Sequence, residues 1–339
     1  MRPNSKIWRE IKRWAPGVLI SGIALFTIFR IVSWQDLDKA FSTIRFIYLV
    51  PGFILVLLWL FMRAVAVKTI LSGKPSVWQA FRAINSGYLL NNLLPLRAGE
   101  FGKALVLGRS SGLGATFVLS GIVIERAFDL IFAAGFLLIS LPFVLEMNWA
   151  KPVAIITIVI VIIALVTLYL IAKFNDTIKR WVGNLSQRFR WVDRFIMPQL
   201  ESFLSGLQVL TDLKRFAACL GLIGSSWVVA VFLYYLMMFS ITNEAQVWWG
   251  VFANSVLALG IALPSAPAAL GVFEAALVGG LKILGIQYSD AFAYAVMMHF
   301  LQFAITGVIG FISLTIERQS IGSLFSLVRA KKQESKPIG

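Results

Sequence analysis

The chain is short of almost everything that soluble metal and thiol chemistry uses. It has one cysteine, Cys219, and one histidine, His299, in 339 residues. A lone thiol excludes an internal disulfide and a cysteine-based metal cluster. No nucleophile stands beside a base and no metal-ligand cluster is visible, so no catalytic residue, metal site or cofactor is expected. Gly108, Gly112 and Gly114 have no lysine after them and no strand before them, which excludes a nucleotide-binding loop.

Charge is scarce as well, at 14% of residues against 59% hydrophobic. A soluble fold cannot hide that much apolar surface behind so few polar groups. Acids are scarcer still, 16 against 31 bases, which leaves a formal charge of +15. The bases flank apolar runs, so the positive-inside rule accounts for them and nucleic acid is not an expected partner. Anionic lipid headgroups at the cytoplasmic face are the expected electrostatic partner.

What the chain does have is long apolar runs. Six read as full membrane spans, at about 14–32, 46–67, 113–142, 152–172, 216–240 and 289–315. The first follows a basic segment, Arg2 to Arg13, without a small-residue cleavage site, and reads as an uncleaved span. Two more regions, about 76–111 and 247–284, are apolar but interrupted by Pro95 and Gly99 in one, and by Pro264, Pro267 and Gly271 in the other. Proline removes a rung from the helical ladder, and the freed backbone groups need protein or water as partners. The expected fold is therefore an all-α integral membrane protein of six transmembrane helices plus two re-entrant, broken hairpins, about eight apolar helices by simple count.

Loop charge orients this layout. Basic segments follow the second span (Lys68, Lys74), fill the loop at 173–215 and form both tails, 1–13 and 317–339. Loops near Asp36, Glu146 and Glu244 are poor in bases. Both termini are thus expected on the cytoplasmic side of a prokaryotic inner membrane. The membrane domain, 14–316, divides into halves at about 14–142 and 152–316, each with three crossings and one hairpin. Three crossings invert the second half, which is the inverted-repeat plan of many transporters. Glu100 precedes Glu125 by 25 residues, and Glu274 precedes His299 by the same 25. The loop at 173–215 mixes aromatics such as Trp181 and Phe203 with bases, and reads as amphipathic helix on the inner membrane face.

Charge inside the apolar regions marks the candidate site. Arg97, Glu100 and Lys103 belong to the first hairpin; Glu125, Arg126 and Asp129 belong to the next span. On a helix Glu125 and Asp129 share a face, and Arg126 can pair with Asp129. These three bases and three acids suit an ion-pair network that holds the hairpin down. They equally suit a polar cavity for an anionic head group, since a guanidinium offers phosphate a planar fork. The two readings are compatible. In the second half Glu274 and His299 are the candidates, with His299 either packed and hydrogen-bonded or acting on protons or headgroup, and Gln302 on its face.

The run Asn91-x-x-x-Pro95-x-Arg97-x-Gly99-Glu100, then Glu125-Arg126-x-x-Asp129, then Pro264-x-x-Pro267-x-x-x-Gly271-x-x-Glu274, resembles the lysylphosphatidylglycerol synthase transmembrane region family over about residues 15–316. The resemblance implies the membrane flippase portion of aminoacyl-phosphatidylglycerol synthases. It carries over to Arg97, Glu100, Glu125, Arg126, Asp129, Pro267, Gly271 and Glu274. Four positions depart from the pattern: Lys103 stands where arginine is common, Ala268-Ala269 replaces a glycine pair, and His299 lies where arginine is frequent. No soluble aminoacyl-transferase segment follows the last span, so lipid synthesis is not implied. The expected function is a non-enzymatic flippase or transporter of an anionic phospholipid or polyprenyl-phosphate-linked lipid. The alternative is an accessory protein that delivers lipid to a cell-envelope glycosyltransferase or synthase. A partner enzyme and a homo-oligomer are both open.

Overall fold

The computed structural model describes residues 22–23, 26, 34–94, 97–144, 150–188, 196–207, 210–262 and 265–318. Most of the expected first span, Pro95, Pro264 and nearly all of both tails lie outside the described residues. Among the described residues the chain is helical throughout, in the order α1 (Trp34–Thr43), α2 (Leu49–Ile70), α3 (Val77–Leu93), α4 (Gly99–Ser110), α5 (Ala115–Val144), α6 (Ala150–Lys173), α7 (Asn175–Arg188), α8 (Met197–Leu207), α9 (Leu213–Met238), α10 (Val247–Gly260), α11 (Val272–Ile283) and α12 (Tyr288–Ile316). Four of them, α2, α5, α9 and α12, are long and apolar enough to cross a membrane. α6 adds 24 residues of almost unbroken apolar sequence. The chain is an all-α membrane protein.

Local chemistry sets the helix starts. Ser76 caps α3, accepting from the Gln79 backbone N–H while the Gln79 side chain accepts from Ser76 N–H in return. Asp212 caps α9 by accepting from Arg215 N–H at 3.2 Å. Glu274 accepts from Gly271 N–H at 2.7 Å at the head of α11, and Gly271 itself sits at φ 82°, where only glycine is unstrained.

The two interrupted regions are helical hairpins, α3–α4 and α10–α11. In the first, Gly99 does not break a helix. It opens α4, and a Cβ there would overlap the Gly87 carbonyl of α3, so its role is close approach of the two arms. The turns of both hairpins hold left-handed residues that are not glycine, Arg97 at φ 53° in one and Ala268 and Ala269 at φ 58° and 56° in the other. The short 3-10 turn Pro267–Ala269 packs against α3, so the two hairpins meet.

The packing repeats itself across the two halves. α3 lies on α2 as α10 lies on α9, α4 on α5 as α11 on α12, and α3 on α12 as α10 on α5. The two equivalent helices α2 and α9 pack on each other, and they run antiparallel. Arg45, before α2, donates to Asn243 Oδ1 at 2.7 Å just past the end of α9. At the other end Arg215, in the first turn of α9, donates to Ser72 Oγ at 3.0 Å just past α2. Helices that correspond by packing and oppose by direction make this an inverted repeat. Even the short helices correspond: α1 packs on α12 as α8 packs on α5. The loop expected to lie on the membrane face therefore differs in part, because α8 docks into the bundle with Leu204, Gly206 and Leu207 buried.

Candidate functional site

Four elements converge on the ionic cluster. α2 brings Arg63, which is 2% exposed in the middle of an apolar helix. Its guanidinium binds Asp129 at 2.6 and 2.9 Å and also Glu125. α4 brings Lys103, which pairs with the other Glu125 oxygen. α5 carries Glu125 and Arg126 side by side and Asp129 one turn on, and Arg126 bonds Asp129 at 3.2 Å and reaches Glu100 at 3.6 Å. From α9 the Trp227 indole N–H donates to Asp129 Oδ1 at 3.1 Å. A buried carboxylate is tolerable when its lone pairs are filled in this way.

The expected balance of three bases and three acids thus acquires a fourth base. With Arg63 counted, the cluster holds Arg63, Arg97, Lys103 and Arg126 against Glu100, Glu125 and Asp129. Arg97 is the residue left over: it forms no hydrogen bond or salt bridge through its guanidinium with any described residue, and it faces a cavity.

That cavity encloses about 460 Å³ between the hairpins. Its wall takes Arg63, Arg126 and Asp129 from the cluster, Arg97 and Ala268–Ala269 from the two hairpin turns, and His299, Gln302 and Thr306 from α12. Four of the eight expected binding residues, Arg97, Arg126, Asp129 and His299, line it. The other four, Glu100, Lys103, Glu125 and Glu274, stand behind the wall as charge partners. His299 Nδ1 lies 2.6 Å from Glu274 Oε1, across the two helices that hold residues of the 25-residue echo, and its ring stacks on Phe273 at 4.3 Å.

Polar groups without partners point the same way. Four buried side-chain atoms among the described residues lack a hydrogen-bond partner, and three of them are nitrogen donors of cavity-lining residues: Arg63 Nε, Arg126 Nε and Asn254 Nδ2. These nitrogens lie just behind the cavity surface, and the cationic hollow they border is the complement of an anion through its guanidiniums. At its edge the cavity meets apolar side chains on the outer face of the bundle, Leu130 of α5 at 49% exposure and Phe303 of α12 at 44%.

Sequence reasoning missed Arg63, Trp227 and Asn254. Arg63 had a visible signal, a guanidinium inside a run read as a span; the other two had none.

The family described as the lysylphosphatidylglycerol synthase TM region matches residues 14–310. The chain belongs to this family. A UPF0104 membrane protein of Methanocaldococcus jannaschii is 23% identical over 237 residues, covering 68% of this chain and 95% of that protein. No solved structure matches. As a member of the lysylphosphatidylglycerol synthase TM region family, the chain is a multi-pass membrane protein, and its match takes in both hairpins and the charged cluster.

Proposed function

We propose that this family member moves an anionic lipid between the leaflets of a prokaryotic cytoplasmic membrane. The head group passes through the cavity between the hairpins while the acyl chains stay outside in hydrocarbon, and no covalent step is needed. The observation that carries the reading is the unpaired Arg97 guanidinium on the cavity wall. It is held in the left-handed region, which costs an ordinary residue about 1–2 kcal/mol and persists at sites where the geometry has a use. Charge left unpaired inside a membrane protein marks a substrate path more often than a structural element. The apolar edge at Leu130 and Phe303 supports a lipid rather than a free solute, because acyl chains need an apolar exit from the headgroup passage.

Purified protein in liposomes with acyl-labelled anionic phospholipid tests the proposal. Wild type is expected to speed transbilayer movement, and Arg97→Ala to reduce it at least tenfold, a loss of at least about 1.4 kcal/mol in the barrier. Arg97→Ala at wild-type speed, or no movement of any anionic lipid by wild type, refutes it.

A further inference from the structure

The same wall carries information about which head group fits, an inference that rests on the cavity being a headgroup passage. Among the described residues the wall presents three guanidiniums, Arg63, Arg97 and Arg126, and one carboxylate, Asp129. That carboxylate is already taken by Arg63, Arg126 and Trp227. The acids behind the wall are engaged too: Glu125 by Arg63 and Lys103, Glu100 by Arg126, and Glu274 by His299 and Gly271 N–H. An ammonium entering here meets an unpaired guanidinium and no free carboxylate. Inside the bundle, where water screens charge less than in bulk, that juxtaposition of like charges is unfavourable.

α12 supplies the wall with a second set of groups, and these are not permanently charged. His299, Gln302 and Thr306 follow one another at helical spacing along the cavity side. Gln302 donates to the Tyr234 hydroxyl at 2.7 Å, and Thr306 accepts from Asn92 at 3.2 Å. After these bonds the Gln302 and Asn92 carbonyls and the Tyr234 O–H keep unused capacity among the described residues. Neutral donors mixed with neutral acceptors match hydroxyl groups, which both give and take hydrogen bonds.

We propose that the head group is a phosphodiester bearing a neutral polyhydroxyl group, such as glycerol or a sugar, and that this cavity excludes heads carrying an ammonium. The exclusion extends to the aminoacylated lipid in the family's own description.

Proteoliposomes loaded in separate arms with acyl-labelled phosphatidylglycerol, phosphatidic acid, phosphatidylethanolamine and lysylphosphatidylglycerol decide the matter. A fifth arm follows release of trapped, water-soluble glycerol phosphate. Phosphatidylglycerol is expected to move about tenfold or more faster than either ammonium lipid, because opposed like charges raise the barrier, and faster than phosphatidic acid. Glycerol phosphate is expected to stay inside. Equal rates for all four lipids, or an ammonium lipid moving fastest, overturn the headgroup assignment and leave lipid transport standing. No lipid moving overturns both, and release of glycerol phosphate without lipid movement upholds the head chemistry while overturning a lipid source. Gln302→Glu adds a carboxylate to the wall and is expected to narrow the gap between the ammonium lipids and phosphatidylglycerol several-fold. An unchanged gap in a variant that still moves phosphatidylglycerol counts against the proposal.

Discussion

Two arginines, 34 positions apart in sequence, have opposite roles in one cluster. Arg63 is buried and divided between two carboxylates, so it neutralises what Glu125 and Asp129 would otherwise leave exposed to a low-dielectric interior. Removing one partner of a buried ionic set costs about 3–5 kcal/mol, because the charges left behind are uncompensated. Arg63→Met is therefore expected to lower stability by that amount in thermal or denaturant unfolding of the detergent-solubilised protein. Arg97→Met breaks no bond and is expected to stay within about 0.5 kcal/mol. Arg97, Arg126 and Asp129 were legible in the sequence because they stand beside a proline-broken segment or in mid-span. Arg63 was visible inside a span too, but it lies close enough to the end of its apolar run for its charge to pass as part of the basic flank of Lys68 and Lys74. The alanine pair at 268–269 is legible only afterwards. Both residues lie in the left-handed region that glycine occupies freely. Ala268→Gly relieves about 1–2 kcal/mol of backbone strain and adds about 0.5–1 kcal/mol of chain entropy to lose, so a gain of up to about 1.5 kcal/mol is expected in the same unfolding measurement.

Among the elements, the hairpins were the easiest to read and the short helices the hardest. Proline and glycine punctuating an apolar region announce a broken helix, and the coordinates place α3–α4 and α10–α11 where those signals fall. Gly99 shows the limit of such punctuation. Its position was visible, but its reason, backbone contact with Gly87 across the hairpin, depends on a partner twelve residues away in sequence. Gly99→Val is expected to force the arms apart at a cost above about 3 kcal/mol, since the atom in the way is backbone and cannot rotate aside. The readout is a loss of monodisperse protein after extraction, with no comparable loss in Gly112→Val, where nothing lies within 4 Å and only the φ of 71° objects. α1 was not foreseen at all. Ten residues without a long apolar run look like a loop until the packing of α8 on α5 reveals the same packing of α1 on α12.

Across the whole molecule, three crossings are expected in each half, with the hairpins entering and returning, so the second half is expected to be inverted and the strongly basic loops to share one side. Ser72 meets Arg215 at one end of the α2–α9 pair, and Arg45 meets Asn243 at the other. The same division holds for the hairpin roots: Arg82 of α3 bonds Glu317 past α12 at 2.5 Å, and Trp248 of α10 stacks on Phe143 of α5 at 4.0 Å. Residues on opposite ends must then face opposite compartments. The chain is well suited to showing it, because Cys219, its one cysteine, is 1% exposed and will not compete for a thiol reagent. Lys74 and Glu244 are exposed, one at each end. A membrane-impermeant maleimide added to intact cells is expected to label Glu244→Cys and to leave Lys74→Cys untouched until the membrane is opened. Labelling of both from outside would put the two ends of α2 and α9 in one compartment, and a bundle that does not cross the membrane cannot hold a passage through it.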